Sequence, residues 1–184
     1  MQDHAPLAMN KVLAIPGSLR AGSSSNLILK TIISVAAPGI QVEVYDGLGN
    51  LPHFNDPPEE PVAVAELKQK IREADAILIC TPEYAFGIPG SLKNALDWTV
   101  GTGEFVDKPV GLITASSQGE KGHSAMLLVL SAISARLIGD ATLLISSVRS
   151  KIGPDGTVKD KELLSLLTKV VPSLVGESRK IRML

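Results

Sequence analysis

A loop rich in glycine and hydroxyl groups follows the first apolar run of the chain. The run covers residues 12–15, and the loop covers residues 17–26. Hydroxyl groups donate hydrogen bonds to phosphate oxygens, and a guanidinium matches two of these oxygens at once. If a helix follows, its first N–H groups and its dipole also favour an anion. The loop therefore predicts a cradle for a phosphate monoester, built from Ser18, Arg20, Ser23, Ser24 and Ser25.

The same loop also has an interpretation that needs no ligand. Serine-rich segments cap helices, and an arginine beside such a cap can simply be solvated. Two other phosphate motifs are missing here, namely the lysine–hydroxyl pair of a nucleoside-triphosphate loop and the glycine spacing of a dinucleotide fingerprint. Because the charge comes from Arg20, a terminal monophosphate fits this loop better than a magnesium-bound triphosphate does.

Two later loops also follow apolar runs. Residues 81–98 contain prolines and glycines that stiffen the backbone, together with Tyr84, Phe86 and Trp98. Such a loop can recognise the edge of a planar heteroaromatic ligand, or it can be a tight connector whose rings cover the core. With aromatic residues at only 3% of the chain, this clustering favours a ligand or partner surface. Residues 115–122 predict either close approach of a flat ligand or an ordinary turn before a helix.

Strands and helices are predicted to alternate strictly along the chain. Apolar, mostly β-branched runs predict strands at residues 12–15, 40–45, 76–80, 110–114 and 141–145. Helical patterns fall between or after them, at residues 26–35, 61–73, 88–100, 123–138 and 160–175. This alternation predicts an α/β fold, a flavodoxin-like three-layer sandwich whose five-stranded parallel sheet has the order 2-1-3-4-5. In that fold the three loops meet at the carboxyl edge of the sheet.

Length and composition indicate one globular domain. The chain has 184 residues, and we expect a loose leader at residues 1–10 and a single domain at residues 11–184. The net charge of −1 and the pI near 6.3 favour neither nucleic acid nor a membrane as partner. No apolar run approaches the roughly 20 residues of a membrane span. The single cysteine agrees with a reducing compartment, so we expect a cytoplasmic protein.

Other reactive side chains have structural interpretations. We expect Cys80 to be a small core residue and Trp98 to pack in the core or at a subunit interface. The histidines His4, His53 and His123 lack the spacing of metal ligands, so we expect no metal site.

Two motifs closely resemble those of the NAD(P)H-dependent FMN reductase family, which includes quinone, chromate and azo-dye reductases. They are Gly-Ser-Leu-Arg with the following serines and asparagine, and Pro-Glu-Tyr followed by Pro-Gly-Ser-Leu-Lys-Asn-Ala-Leu-Asp-Trp. The resemblance extends from about residue 11 to residue 175, and it implies an FMN-binding domain. By position, it implies that the FMN phosphate lies on Ser18, Arg20, Ser23, Ser24, Ser25 and Asn26, that the isoalloxazine borders Pro82, Glu83 and Tyr84, and that its other side approaches Ser116, Ser117 and Gly119.

The chain departs from the family's pattern at two positions. The asparagine of the first loop comes later than usual, so either Ser25 takes its place or the loop is one residue longer with Asn26 in that role. The family usually has asparagine after Pro-Glu-Tyr, whereas this chain has Ala85. Any contact of a side-chain amide there is lost, which would affect the substrate or nicotinamide more than the flavin.

The resemblance implies an oxidoreductase in which the flavin, and no catalytic side chain, performs the chemistry. A hydride would pass from NADPH or NADH through flavin N5 to a small acceptor such as a quinone, an azo compound or a metal oxyanion. The family also implies a homodimer or homotetramer. The alternatives are a flavodoxin-type electron carrier, which we would expect to be strongly acidic, and a non-catalytic FMN-binding module.

Overall fold

The computed structural model describes residues 10–55 and 57–183. Within these ranges, five strands form one sheet in which all neighbouring strands are parallel. They are β1 (Asn10–Pro16), β2 (Ile40–Val44), β3 (Ala76–Thr81), β4 (Pro109–Ala115) and β5 (Arg136–Ile145). Their order in the sheet is β2-β1-β3-β4-β5. The predicted flavodoxin-like order is therefore confirmed.

Helices cover both faces of this sheet. They are α1 (Ser24–Ser34), α2 (Val62–Glu73), α3 (Gly90–Asp97), α4 (Glu120–Ala132), the short α5 (Val148–Lys151) and α6 (Lys161–Arg182), with a 3₁₀ turn at Gly47–Asn50. Among the described helices, none is both long enough and apolar enough to pass through a membrane.

Alternation along the strands divides the core into two layers. On β1, Leu13 and Ile15 pack with the apolar residues of α2, α3 and α4, whereas Val12 and Ala14 pack with those of α1 and α6. This follows from the period of two in a strand, which sends successive side chains to opposite faces. Because both faces are covered, every residue of β3 and β4 is buried.

The predicted helix at residues 123–138 is wrong from residue 133 onward. The helix α4 ends at Ala132, and the residues from Arg136 onward form the first part of β5. The chain turns at Ser134, which has a φ of 58°, and the Arg136 N–H then donates to the Lys108 carbonyl at 2.9 Å. A continuous apolar run lacks the periodicity that separates a helix from a buried strand, so sequence alone missed this boundary.

Smaller differences concern the ends of elements. Pro61 and Pro89 are the cap residues before α2 and α3 and lie outside their first turns. Asn10, which we assigned to the leader, is the buried first residue of β1, and residues 1–9 of that leader lie outside the described residues.

Candidate functional site

A cavity of about 300 Å³ lies at the carboxyl edge of the sheet, where the loops after β1, β3, β4 and β5 meet. Most of the residues predicted for the site line it. The lining consists of Arg20, Gly22, Ser23, Ser24, Pro82, Glu83, Tyr84, Ala115, Ser116, Ser117, Val148 and Arg149. Of the predicted residues, Ser18, Ser25, Asn26 and Gly119 do not line the cavity.

The first loop leaves β1 at a fixed point between β1 and β3. The Gly17 N–H donates to the Cys80 carbonyl at 2.8 Å, which continues the pairing of the two strands. A Cβ at Gly17 would lie only 2.4 Å from Thr81 Oγ1 and 2.9 Å from Leu92 Cδ2. Only glycine allows this close approach, so the sheet itself positions the loop that begins at Ser18.

Hydrogen bonds within the first loop explain why Ser25 and Asn26 lie outside the cavity. Ser23 caps α1, and its hydroxyl accepts the Asn26 N–H at 3.3 Å and contacts the Ser25 hydroxyl at 3.1 Å. Ser25 is fully buried. The Asn26 side-chain amide donates to the carbonyls of Arg20 at 3.1 Å and Ser18 at 3.5 Å, and its Oδ1 is buried without a partner. Asn26 therefore stabilises the loop by hydrogen bonds to its backbone, while Ser24 and Arg20 line the cavity.

A side-chain hydrogen bond joins the first loop to the second. The hydroxyls of Ser18 and Tyr84 lie 2.9 Å apart, and the Ser18 oxygen also accepts the Arg20 N–H at 3.2 Å. Ser18 is buried, whereas Tyr84 is exposed and lines the cavity. This hydrogen bond fixes the orientation of the Tyr84 ring relative to the first loop.

The second loop contains a tight turn with an unfavourable backbone. Tyr84 and Gly87 exchange both N–H to carbonyl hydrogen bonds, at 3.1 and 2.9 Å. The two residues between them, Ala85 and Phe86, have φ values of 48° and 61°. Asparagine and glycine suit such positions much better than alanine or phenylalanine. The asparagine usual in the family at the position of Ala85 thus has a backbone explanation, which our sequence interpretation missed.

The Glu83 carboxylate binds the start of α4. Its Oε2 accepts the Gly122 N–H at 2.7 Å, in the first turn of that helix. A Cβ at Gly122 would lie 3.0 Å from Glu83 Cγ and 3.1 Å from the Gly87 carbonyl oxygen. The helix dipole favours a carboxylate at this end. Glu83 therefore holds the second loop against α4.

The third loop is held by the end of β5. The Ser116 N–H donates to the Ile145 carbonyl at 3.1 Å, and the Val148 N–H donates back to the Ser116 carbonyl at 3.1 Å. Gly119 has a φ of 96°, and a Cβ there would lie 2.9 Å from Leu144 Cδ1. Gly119 thus allows the backbone conformation and the close packing of the third loop, although it does not line the cavity.

His123, Cys80 and Trp98 do not line the cavity, and each has a hydrogen-bond partner within the protein. His123 Nδ1 lies 2.8 Å from Thr114 Oγ1, and burial lowers the pKa of His123. The Cys80 thiol donates to the Ser25 carbonyl at 3.0 Å, and burial raises its pKa, so the prediction of a core cysteine is confirmed. Trp98 is buried and donates its Nε1–H to the Pro52 carbonyl at 2.9 Å. Across residues 10–55 and 57–183, no cluster of three or more candidate metal ligands occurs.

Sequence reasoning missed Arg149 and Val148. Both follow β5 directly, and both line the cavity. The signal was present, because polar residues just after any parallel strand reach the edge where these folds bind ligands. The predicted site included only the loops after the first, third and fourth strands.

Comparisons with known proteins identify relatives of this chain. The sequence profile of the family described as NADPH-dependent FMN reductase matches residues 10–149. An NAD(P)H-dependent FMN reductase of Pseudomonas aeruginosa is 32% identical over 183 residues, which cover 94% of this chain and 97% of the relative. A quinone reductase of Escherichia coli is 32% identical over 171 residues, which cover 86% of this chain and 89% of the relative.

A solved structure is similar as well. The flavoenzyme FerB, an NAD(P)H:(acceptor) oxidoreductase from Paracoccus denitrificans, has a TM-score of 0.75 at 26% identity, covering 93% of this chain and 98% of FerB. The segment matched by the family profile contains all three loops of the predicted site as well as Arg149. The chain therefore belongs to the NADPH-dependent FMN reductase family.

Proposed function

We propose that this protein is an NAD(P)H-dependent FMN reductase that reduces a small acceptor such as a quinone, an azo compound or a metal oxyanion. The observation that carries this proposal is the cavity at the carboxyl edge of the sheet. Hydroxyls and a guanidinium of the first loop line it together with the Pro82-Glu83-Tyr84 segment of the second loop. Membership of the reductase family and the names of the relatives support the same activity.

The donor set at the first loop fits a phosphate monoester. Ser24 and Ser23 line the cavity at the N-terminus of α1, whose first N–H groups have no acceptor within the helix. Arg20 of the same loop adds a guanidinium, which can bind two phosphate oxygens at once. We assign the FMN phosphate to this part of the cavity. Ser18, Ser25 and Asn26 do not line the cavity, and their hydrogen bonds stabilise the loop.

The lining from the second and third loops fits a flat ring. Pro82, Glu83 and Tyr84 contribute a rigid segment, and Ser116 and Ser117 contribute small side chains and backbone. We assign the isoalloxazine to the space beside these two loops. Bound FMN would supply the hydride chemistry at its N5, so the protein needs no acid–base pair of its own. The role left to the chain is to position the ring and limit the access of water.

Assembly and location are also proposals. Large apolar side chains are exposed on several elements, including Val62 on α2, Leu128 on α4 and Val100 after α3. Single exposed apolar side chains also occur on monomers, so the proposal of a homodimer or homotetramer rests on the resemblance to the reductase family. With a single cysteine and no membrane-type helix among the described elements, we propose a cytoplasmic location.

Flavin binding and reduction test the function directly. FMN added to purified apoprotein should bind with quenching of its fluorescence, and anaerobic NADPH or NADH should then bleach its visible absorbance. Steady-state turnover with both nucleotides across quinones, azo dyes and chromate would rank the acceptors. Binding of FMN without bleaching by either nucleotide would favour the electron carrier, although a net charge of −1 is less acidic than such carriers require. Failure to bind FMN would reject both.

A further inference from the structure

Two guanidinium groups line the cavity, and the protein does not neutralise either of them. Arg20 belongs to the loop after β1, and Arg149 belongs to α5 directly after β5. Both residues are exposed, and within residues 10–55 and 57–183 neither forms a salt bridge. By contrast, Arg72 and Arg136 are paired with carboxylates.

The acid that lines the cavity is already engaged. Among the described lining residues, Glu83 is the one carboxylate. Its Oε2 accepts the Gly122 N–H at 2.7 Å at the start of α4. A carboxylate held by a helix N-terminus is stabilised there and has less to gain from an arginine. The cavity therefore keeps an excess of positive charge in a protein whose overall net charge is −1.

The backbone holds Arg149 in a defined place. The Ser147 N–H donates to the Ser117 carbonyl at 3.0 Å, and the Val148 N–H donates to the Ser116 carbonyl at 3.1 Å. The Val148 side chain is buried in the layer formed by α1 and α6. The backbone just before Arg149 is thus hydrogen-bonded to the third loop. Binding an anion there would therefore cost little conformational entropy of the backbone.

We propose that Arg149 is a second phosphate-binding guanidinium of the site, which rests on the proposed function. A phosphate monoester carries about −1.5 to −2 charges at neutral pH, more than one arginine neutralises. Flavin rings, quinones and azo compounds offer no comparable anion, whereas a metal oxyanion among the proposed acceptors does. The proposed reactants include two phosphate monoesters, the 5′-phosphate of FMN and the 2′-phosphate of NADPH. Riboflavin lacks the first and NADH lacks the second, so each source can be tested separately.

The test compares the wild type with Arg149→Gln and Arg149→Lys. FMN and riboflavin affinities are measured by fluorescence titration of the apoprotein, and kcat/KM is measured with NADPH and with NADH. Arg179→Gln is the matched control, because Arg179 is an exposed arginine on α6 that does not line the cavity. Loss of a charge-assisted phosphate contact should cost about tenfold in affinity.

Two results would support the proposal and name the source. A roughly tenfold loss of FMN affinity in Arg149→Gln, with riboflavin affinity unchanged, would identify the 5′-phosphate. A similar fall in the NADPH-to-NADH preference, with FMN affinity unchanged, would identify the 2′-phosphate. Arg149→Lys should recover part of either loss, because lysine keeps the positive charge but lacks the planar guanidinium that binds two oxygens at once.

Other results would overturn it. Unchanged FMN affinity together with an unchanged nucleotide preference would show that Arg149 binds neither phosphate, and FMN reduction in the same samples would leave the proposed function intact. Equal losses for FMN and riboflavin would indicate a general effect on the cavity. A wild type that binds no FMN would reject the inference and the proposed function together.

Discussion

Replacing Gly17 by alanine should damage both stability and flavin binding, because the sheet leaves no room for a methyl group there. The new Cβ would lie 2.4 Å from Thr81 Oγ1, 2.6 Å from Thr81 Cβ and 2.9 Å from Leu92 Cδ2. Both neighbours are buried, so they cannot swing aside into solvent. The end of β1 must then move away from β3, which strains the 2.8 Å hydrogen bond between the Gly17 N–H and the Cys80 carbonyl.

The size of the effect follows from these two contributions. Overpacking a rigid core costs about 1–3 kcal/mol, and a weakened buried hydrogen bond adds about 1 kcal/mol. The free energy of unfolding should therefore fall by about 2–4 kcal/mol, which for a domain of this size lowers Tm by about 4–16 °C. Since the loop from Ser18 onward starts at this point, FMN affinity should fall as well.

Thermal unfolding followed by circular dichroism, together with FMN titration, measures both effects. Gly22→Ala is the matched control for stability, because a Cβ at Gly22 has nothing within 4 Å although it lies in the same loop. Thr81→Gly should partly rescue Gly17→Ala by removing both Thr81 Oγ1 and Thr81 Cβ, the two nearest atoms, so the two changes should be non-additive. A Gly17→Ala protein with the Tm and FMN affinity of the wild type would refute the steric argument.

Two further predictions concern other parts of the site. Ala85→Asn should raise the free energy of unfolding by about 1 kcal/mol, because asparagine tolerates the left-handed conformation that alanine is forced to adopt here, and chemical denaturation would detect it. An unchanged or lower stability would contradict the strain assigned to this turn. Burial lowers the pKa of His123 below its ordinary 6.5, so the unfolded chain binds the proton more tightly and stability falls as the pH drops below about 6.5. His123→Gln should therefore flatten the dependence of unfolding free energy on pH below about pH 6.5, and parallel profiles for the two proteins would argue against this role.

Much of the fold could be predicted because its determinants are local. The apolar runs predicted all the strands at nearly their observed positions. The inner strands β3 and β4 carry continuous apolar sequence because both of their faces are covered. The exception was the start of β5 at Arg136, which sits in the same apolar run as α4. The turn at Ser134 and the pairing of Arg136 with Lys108 decide that boundary, and the pairing depends on a residue distant in sequence.

The candidate site was less predictable because side-chain directions are tertiary properties. Sequence placed Ser25 and Glu83 among the flavin-facing residues. In the structure Ser25 is buried beneath the loop, and the Glu83 carboxylate binds the Gly122 N–H. The Glu83 contact could not be read from spacing, because it depends on how the loop after β3 meets the start of α4, and the burial of Ser25 depends on how the first loop folds onto the sheet.

By itself, the sequence determined the order of the elements, the hydroxyl-rich loop after β1 and the family to which its motifs point. These depend on periodicity and on residue types that neighbour each other along the chain. Tertiary structure alone decided which of those hydroxyls line the cavity, and it brought Arg149 from the end of β5 to the same edge as Arg20. The physical reason is that parallel strands direct their carboxyl ends to one edge, so residues more than a hundred positions apart become neighbours.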